Sequence, residues 1–421
     1  MHPRPPGPSA RPSALPRPPA RPRPPARPSV PLRPSARPSA PPRPPALPRP
    51  SARPSAQPRP AARPGAPLRL AAALGALTLL TAVGCGSGSG SGSGKGGGDG
   101  ELDMGIAVAN ISLNFAHEMV LGAGSAAEHE GNVDLKAVGP PNTDGPAEVQ
   151  LFQNLTTRAK DGIVLENLDP PIFTRPAARA VDQGIPIVAL DTAPTDGSKV
   201  TFYVGNDNYA LGELMAKEAL KRLGDDPEGE IVIGVPNPGT PVLDNRAKGI
   251  ADIFAKQAPG VKVLGPFQTY SDPGQNYSSW SAQVNAHPKA LAFLGVGDAD
   301  SYNLAKLKKA RKGTWLTAGF DVDPKTLEAV EDGSNFVTID PQHFLKGYLS
   351  TALLVRAVRE HGGDLPDGWF LSPGGVVDKS NIDDIVARQK SAEAAYDWYE
   401  PTVTKLLAHQ ETQLKPLKDA R

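Results

Sequence analysis

The chain has 421 residues, enough for two ordinary domains plus additional segments. Its formal net charge of +1 hides an asymmetry. Residues 1–84 contain 14 of the 45 basic residues, all arginines, and no acidic residue. Residues 85–421 carry 31 basic and 44 acidic residues, a formal charge of −13. This acidic body argues against nucleic acid as a partner, and the single cysteine, Cys85, excludes an intrachain disulfide.

Residues 1–67 form a low-complexity segment rich in proline and arginine. It holds 26 of the 48 prolines and repeats the tetrad Arg-Pro-Ser-Ala. Because it has almost no large apolar side chains, it cannot bury enough surface to offset the entropy of ordering. We expect a disordered tail with polyproline character.

Residues 68–85 carry the features of a secretory signal. Arginines precede a short apolar run, and Ala82-Val83-Gly84-Cys85 closes it. A positive start, a short apolar core and small residues at the end are typical of such signals. Cysteine after small residues resembles a bacterial lipoprotein signal, in which that cysteine receives lipid, although Ala82 stands where leucine is usual. The alternative is a signal anchor with an incidental cysteine. Residues 86–100, nearly all Gly and Ser, predict a flexible tether.

Short apolar runs alternate with helix-period segments from residue 101 onward. The first series of predicted strands covers 104–109, 133–138, 162–166, 186–190 and 200–204, and the second covers 230–235, 261–267, 290–294, 315–319 and 336–339. Strand-then-helix alternation predicts parallel sheets with helices on both faces, and two series predict two lobes. Residues 381–421 predict a charged helical tail of unassigned function.

Motifs of the common enzyme classes are absent from the sequence. His117-Glu118 has no second histidine at the zinc-binding spacing, and Gly295-Val-Gly297 lacks the third glycine of a dinucleotide fingerprint. No nucleophile elbow or phosphate loop occurs. We therefore expect neither catalysis, nor a cofactor, nor a metal.

Polar or aromatic residues stand after several predicted strands, where ligands of parallel sheets bind. These candidate ligand-binding residues are Asn114, Phe115, Asp191, Arg246, Asp298, Asp321 and Gln342. Structural alternatives exist: Asp191 and Asp321 as helix or turn caps, Asp298 as a helix cap, Arg246 as a surface charge and Phe115 as core packing.

Several of these segments together resemble the type I sugar-binding proteins of ABC importers, the ribose-binding-like group. The resemblance covers about residues 103–378 and lies in the stretches 184–191, 204–212, 246–249, 286–288, 319–321 and 338–347. It implies two Rossmann-like lobes joined by a hinge, with 101–204 plus about 340–362 in the N-terminal lobe and 205–339 plus about 363–380 in the C-terminal lobe.

The resemblance also implies roles for the candidate residues. Phe115 would cover the apolar face of a sugar with Asn114 beside it, Asp191 and Arg246 would clamp hydroxyls, and Asp321 and Gln342 would bind from the other lobe and the hinge. The chain departs from the family pattern at Pro341 and Lys346, where glutamine is common, and at Gly297-Asp298, where Asn-Asp is common. Neither Asp191 nor Arg246 is expected to hold the core.

The expected function is that of an extracytoplasmic protein, anchored to the membrane by lipidated Cys85, that captures a small sugar or polyol for an ABC importer permease. One alternative is a sensor subunit that presents a sugar to a chemoreceptor or kinase. The other is a sugar-active enzyme with an acid–base pair among Asp191, Asp298 and Asp321.

Overall fold

A computed structural model describes residues 100–421. The expected tail 1–67, the signal with Cys85 and all but the last residue of the tether lie outside the described residues. Within residues 100–421, no helix is long and apolar enough to cross a membrane.

The first lobe is built on a seven-stranded sheet in the order β13-β11-β5-β4-β3-β1-β2. All its strands are parallel except β13, which pairs antiparallel with β11 at the edge. The elements before the first crossing are β1 Leu102–Ala107, α1 Asn114–Glu130, β2 Val133–Val138, α2 Gly145–Leu155, β3 Gly162–Glu166, α3 Pro170–Asp182, β4 Ile187–Leu190 and β5 Phe202–Gly205.

The second lobe is built on a six-stranded sheet in the order β12-β10-β9-β8-β6-β7, parallel except for β12. Its continuous part comprises α4 Asn208–Leu223, β6 Gly229–Val235, α5 Pro241–Gln257, β7 Val261–Gln268, α6 Pro273–Ala286, β8 Ala292–Gly295, α7 Asp298–Arg311, β9 Leu316–Phe320, α8 Pro324–Glu331 and β10 Val337–Asp340. The predicted fold class, two parallel α/β lobes, is confirmed.

The remaining chain passes between the lobes. Its elements are α9 His343–His361, β11 Gly368–Leu371, β12 Gly375–Val377, α10 Ile382–Arg388, α11 Ala392–Ala408, α12 Gln410–Gln413 and β13 Leu414–Lys415, followed by a short 3-10 turn. The chain therefore crosses between lobes after β5, after β10 and after β11, and it returns to the first lobe between β12 and β13.

One expected boundary differs from the structure. Residues 363–380 were expected in the second lobe, but β11 pairs in parallel with β5 in the first sheet, and only β12 joins the second. A single strand pattern does not reveal which of two sheets a strand will join, because that choice depends on long-range pairing. The tail, expected to be helical, also contributes β13 to the first sheet.

Side-chain caps begin several helices where the sequence turns from strand to helix. Asp144 accepts from the Ala147 N–H (3.1 Å) at the start of α2, and Asp207 accepts from the Ala210 N–H (2.9 Å) at the start of α4. Each cap satisfies a backbone donor that has no partner within its helix. The helices of each lobe pack on both faces of its sheet and bury the apolar strands.

The close contact between α1 and α9 depends on two glycines. A Cβ atom on Gly122 would overlap the backbone of Phe344, and one on Gly347 would overlap the backbone of Met119. Glycine at these positions allows the two helix backbones to touch. This contact fixes α9, which follows the second crossing, against the first lobe.

Candidate ligand-binding cleft

A cleft lies between the two lobes, at the carboxyl ends of the strands of both sheets. It contains about 480 Å³ of empty space, part of which opens to solvent. Its polar lining residues are Asp191, Asn237, Arg246, Ser271, Asp298, Asp321 and His343. Its apolar lining includes Leu113, Phe115, Leu168, Pro236, Val242, Leu243 and Ala299.

Five of the seven candidate residues line this cleft: Phe115, Asp191, Arg246, Asp298 and Asp321. The other two side chains are not among its lining residues. The Asn114 side chain donates to Glu118 Oε1 (2.8 Å) along α1, and Gln342 precedes α9 with a half-buried side chain. Asn114 still approaches the site through its backbone, which lies against the carboxyl of Asp298.

Asp191 and Asp321 occupy equivalent positions in the two lobes. Asp191 follows β4, and its N–H donates to Val204 O (2.9 Å); Asp321 follows β9, and its N–H donates to Ile339 O (2.8 Å). Both residues have a left-handed backbone, with φ of 63° and 69°. Such values are uncommon for residues other than glycine and concentrate at functional sites. The turn that ends each strand thus directs one carboxyl into the cleft.

The partner of Asp191 is a lysine. The Lys346 Nζ donates to Asp191 Oδ1 and also to Asn206 Oδ1 (2.9 Å), and its side chain is fully buried. Burial alone raises the pKa of Asp191, but the nearby charges, led by Lys346, outweigh it and hold the pKa at about 2. Asp191 is therefore a carboxylate at neutral pH, and it is neither a turn cap nor free of a structural role.

Lys346 and Asn206 also connect the first three crossings. Asn206, in the first crossing, donates from Nδ2 to Ser372 O (3.1 Å) and Pro373 O (2.8 Å) in the third crossing. Lys346 lies in α9, just after the second crossing. The base of the cleft is therefore one hydrogen-bonded unit whose polar groups include the cleft-lining carboxylate of Asp191.

Arg246 is almost completely buried, so it is not a surface charge. Its Nε donates to Asn208 Oδ1 (2.9 Å), its Nη1 donates to Val296 O (3.0 Å), and its guanidinium lies 4.3 Å from the centre of the Phe320 ring. No hydrogen bond from Nη2 to another residue of the range 100–421 is present. These contacts hold the planar guanidinium rigidly with one edge toward the cleft.

Asp298 stands at the start of α7, but it is not the cap of that helix. The helix N-terminus is capped by Asp300, whose Oδ2 accepts from the Gly297 N–H (3.0 Å). Asp298 Oδ1 is buried without a hydrogen-bond partner among the described residues. Burial, followed by the charge of Asp321, raises the pKa of Asp298 well above its usual range, which favours the neutral form of this carboxyl.

His343 lines the cleft and was not among the candidate residues. Its Nε2 bonds to Asp321 Oδ1 (2.8 Å), and its ring lies 5.7 Å from the Phe115 ring. Burial and the charge of Lys346 lower the pKa of His343, so its imidazole is neutral at pH 7. Because the Asp321 carboxylate can only accept a hydrogen bond, the proton of the neutral His343 imidazole lies on Nε2. Nδ1 of His343 is then a buried acceptor without a partner among the described residues.

The sequence contained weak signals for the missed residues. His343 and Lys346 lie within the stretch 338–347 that carried the resemblance, and Lys346 was noted only as a departure from the family pattern. Neither follows a strand directly, because both belong to α9. Leu168 and Asn237 lie in loops after β3 and β6, where ligand-binding residues are expected, but neither is charged and neither was selected from the sequence.

Comparison with known proteins gives a consistent result. A family model described as "Periplasmic binding protein domain" matches residues 104–362. The xylose/arabinose-binding protein of Sulfolobus acidocaldarius is 24% identical over 230 residues, which are 51% of this chain and 56% of that protein. The D-allose-binding periplasmic protein of Escherichia coli is 26% identical over 216 residues, 49% of this chain and 68% of that protein. The chain thus spans only about half to two thirds of the length of these relatives.

A solved structure supports the same assignment. The ABC transporter solute-binding protein of Burkholderia graminis in complex with D-arabinose has a TM-score of 0.62 and 26% identity, and the match covers 67% of this chain and 97% of that protein. The family model covers more than half of this chain, and the two-lobed fold with its interlobe cleft agrees with it. The chain therefore belongs to the periplasmic binding protein family.

Proposed function

We propose that this chain is an extracytoplasmic solute-binding protein that captures a small sugar or polyol in the interlobe cleft and delivers it to an ABC importer. The observation that carries the proposal is the convergence of Asp191, Arg246, Asp298 and Asp321 on one cleft from two lobes. Carboxylates and guanidinium groups form charge-assisted hydrogen bonds to hydroxyls, which are stronger than neutral ones. The names of the relatives, which refer to xylose, arabinose and allose, support a carbohydrate ligand.

The charges of the cleft favour a neutral ligand. Two basic side chains, Lys346 and Arg246, face three acidic ones, Asp191, Asp298 and Asp321. Because burial and the charge of Asp321 raise the pKa of Asp298 and favour its neutral form, the formal charges of the cleft come closer to balance. An anionic or cationic ligand would add an uncompensated charge to a buried site, whereas a polyol adds none. The ring of Phe115 offers an apolar surface to the C–H face of a sugar.

Capture requires no chemical step in this proposal. The first three crossings act as the hinge, and closure brings Asp298 and Asp321 of the second lobe to a ligand held by Asp191 of the first lobe. The closed form is then recognised by the importer permease, as in hinge closure of binding proteins generally. We propose binding without turnover, because the acidic groups are engaged by Lys346, His343 and the backbone of Asn114.

We further propose that lipidated Cys85 anchors the protein to the membrane, with residues 86–100 as the tether. The apolar run and the small residues before Cys85 support this. Mass spectrometry of the mature N-terminus of membrane-extracted protein is the test. A diacylglyceryl-modified Cys85 at the N-terminus is expected, and an intact chain with an unmodified Cys85 contradicts the proposal.

The ligand is tested by a thermal-shift screen of monosaccharides and polyols, followed by calorimetric titration. A ligand at 100 times its Kd stabilises the folded state by about 2.7 kcal/mol, which is readily seen as a higher Tm. Product analysis after incubation with each hit checks for turnover. If no sugar or polyol raises the Tm, or if a hit is chemically converted, the proposed function is wrong.

The role of the cleft is tested with Asp321→Asn, which keeps the shape of the side chain and an oxygen that accepts from His343. Loss of one charge-assisted hydrogen bond, about 1.5–3 kcal/mol, predicts an affinity lower by roughly tenfold to a hundredfold. The matched control is Asp367→Asn in an exposed loop, which is expected to bind as the parent does. Equal affinity of all three proteins places the ligand elsewhere.

A further inference from the structure

Residues 381–421, for which the sequence suggested no function, pack on both lobes. The first helix of this segment, α10, joins the second lobe, where Ile382 and Ile385 are buried in one apolar cluster with Leu327 and Val330 of α8. Because detaching α10 would expose these apolar side chains to water, the helix is fixed to the second lobe.

The next helix, α11, joins the first lobe. Tyr399, Val403 and Leu406 are buried in the apolar cluster that also contains Met119 of α1 and Phe344 of α9. The rings of Tyr399 and Phe344 are stacked, with their centres 5.9 Å apart. The segment therefore changes lobes between α10 and α11, in addition to the three crossings at the hinge.

Only three residues connect these two helices. α10 ends at Arg388 and α11 begins at Ala392, so residues 389–391, which we call the link, join one lobe to the other. A fully extended chain spans at most about 3.3–3.6 Å per residue, so the Cα atoms of Arg388 and Ala392 cannot move more than about 14 Å apart. A larger separation would break one helix or detach it from its lobe.

Polar contacts also join the lobes beside the link. Arg388 of α10 is buried and donates from Nη1 to the Tyr399 hydroxyl of α11 (2.8 Å) and to Asp340 Oδ2 at the end of β10 (2.8 Å). The Gln389 side chain, within the link, donates to the carboxyl of Glu118 on α1. A rotation of one lobe against the other would break the bonds to Tyr399 and Glu118, which lie in the first lobe.

We propose that the link restrains the hinge: it holds the lobes near the arrangement described above and limits how far they rotate apart. The first three crossings permit rotation, as in other hinged proteins. Rotation must also carry α10 with one lobe and α11 with the other, and the short link and its adjoining bonds oppose that movement. This inference adds a mechanical property to the protein and does not depend on which ligand binds.

The test lengthens the link and removes the two bonds between the lobes. Eight glycine and serine residues inserted between Lys390 and Ser391 add up to about 26 Å of reach. Gln389→Ala and Tyr399→Phe, in the same chain, remove the bonds to Glu118 and from Arg388. The insertion alone, which leaves every side chain in place, is the second variant in case the combined variant does not fold. The matched control carries the same insertion between Asp225 and Asp226, in an exposed loop within the second lobe.

The measurement is the distance between the lobes in the full chain without any sugar. Spin labels are attached to Asn142→Cys, in the exposed loop after β2, and to Gln275→Cys, exposed in the first turn of α6 after β7. β2 and β7 are the edge strands at one end of each sheet, away from β5 and β10, where the first two crossings begin. Cys85→Ser removes the single natural thiol. Pulsed electron paramagnetic resonance then gives the distribution of label distances.

Both link variants are expected to shift or broaden this distribution towards longer distances by more than about 2 Å relative to the control, with the larger effect in the combined variant. If the segment only stabilises the first lobe, the variants melt at a lower temperature but keep the distances of the control, and the inference is overturned. If only the insertion variant folds and its distribution equals that of the control, the inference is overturned as well. Because no sugar is present, either negative result leaves the proposed function standing.

Discussion

Replacing Lys346 by methionine tests whether the base of the cleft depends on the buried pair with Asp191. Methionine matches the length of the lysine side chain but has no charge and no donor. In the variant, the Asp191 carboxylate and the Asn206 carbonyl lose their shared donor inside the protein. The Asp191 and Asn206 side chains are almost completely buried, so water cannot easily replace the lost Lys346 donor.

The magnitude follows from these two losses. Breaking a buried ion pair by removing one partner costs about 3–5 kcal/mol, and an unsatisfied buried acceptor such as the Asn206 carbonyl adds about 1–3 kcal/mol. Because domains are stable by only about 5–15 kcal/mol, Lys346→Met is expected to lose a large part of the stability of the protein at pH 7. The measurement is urea denaturation followed by circular dichroism.

The pH dependence of the stability of Lys346→Met provides a second test. In the parent, the pKa of Asp191 is about 2, below its unfolded value, so its contribution is present at neutral pH and is lost as the pH falls towards 2. Without Lys346, burial raises the pKa of Asp191 above the unfolded value. The folded variant then holds the proton more strongly, and its stability deficit is expected to shrink as the pH falls from 7 to 5.

The double variant Lys346→Met, Asp191→Asn removes the unpaired charge and is expected to recover at least 2 kcal/mol of the loss, within the range of roughly 0.5–3 kcal/mol for coupled neighbours. Lys248→Met, which removes an exposed ion pair with Asp252, is the control and is expected to leave the denaturation midpoint nearly unchanged. A Lys346→Met midpoint equal to that of the control, without rescue by Asp191→Asn, would refute the role assigned to the pair.

Three further predictions concern the cleft and the first lobe. Arg246→Lys loses the planar guanidinium held by Asn208 and Val296 and is expected to weaken sugar binding about tenfold in calorimetric titration; unchanged binding would show that Arg246 does not face the ligand. Thr240→Val removes the hydrogen bond from the hydroxyl to Leu168 O but no helix cap, because the Thr240 side chain makes no cap bond to α5. The affinity for the sugar is expected to fall about twofold to tenfold, and Thr404→Val is the exposed control. Burial raises the pKa of Glu166 to about 8, so the folded state binds this proton more strongly than the unfolded state, and the free energy of unfolding falls as the pH rises from about 5 to 8. Glu166→Gln is expected to remove up to about 3 kcal/mol of that fall, whereas the exposed control Glu393→Gln is expected to leave it unchanged. If the free energy of unfolding of Glu166→Gln depends on pH as that of the parent does, the raised pKa of Glu166 is wrong.

Much of the fold was predictable because the relevant signals are local. Short apolar runs such as 162–166 and 230–235 are long enough for a buried strand, and each is followed by a helix-period segment. Alternation of this kind leaves few arrangements other than parallel sheets. In parallel sheets the residues after the strands meet at one edge, which is why Asp191, Asp298 and Asp321 were selected from sequence and line one cleft.

Other features depend on contacts between residues far apart in the chain. Lys346 reaches Asp191 and Asn206 only because the Gly122 and Gly347 contact fixes α9 on the first lobe. The sequence alone therefore suggested an Asp191–Arg246 clamp and gave no structural role to either residue, whereas both side chains are held in buried contacts.

The assignment of residues 363–380 shows the same limit. The apolar pattern of Gly368–Leu371 predicts a strand equally well for either sheet, and pairing with β5 decided the lobe. Strand formation follows from local spacing and side-chain type, so the amino-acid sequence determined it. The choice of sheet edge, the partner of a buried charge and the contact of Thr240 with Leu168 across the cleft follow from the total free energy of packing, which only the tertiary structure specifies.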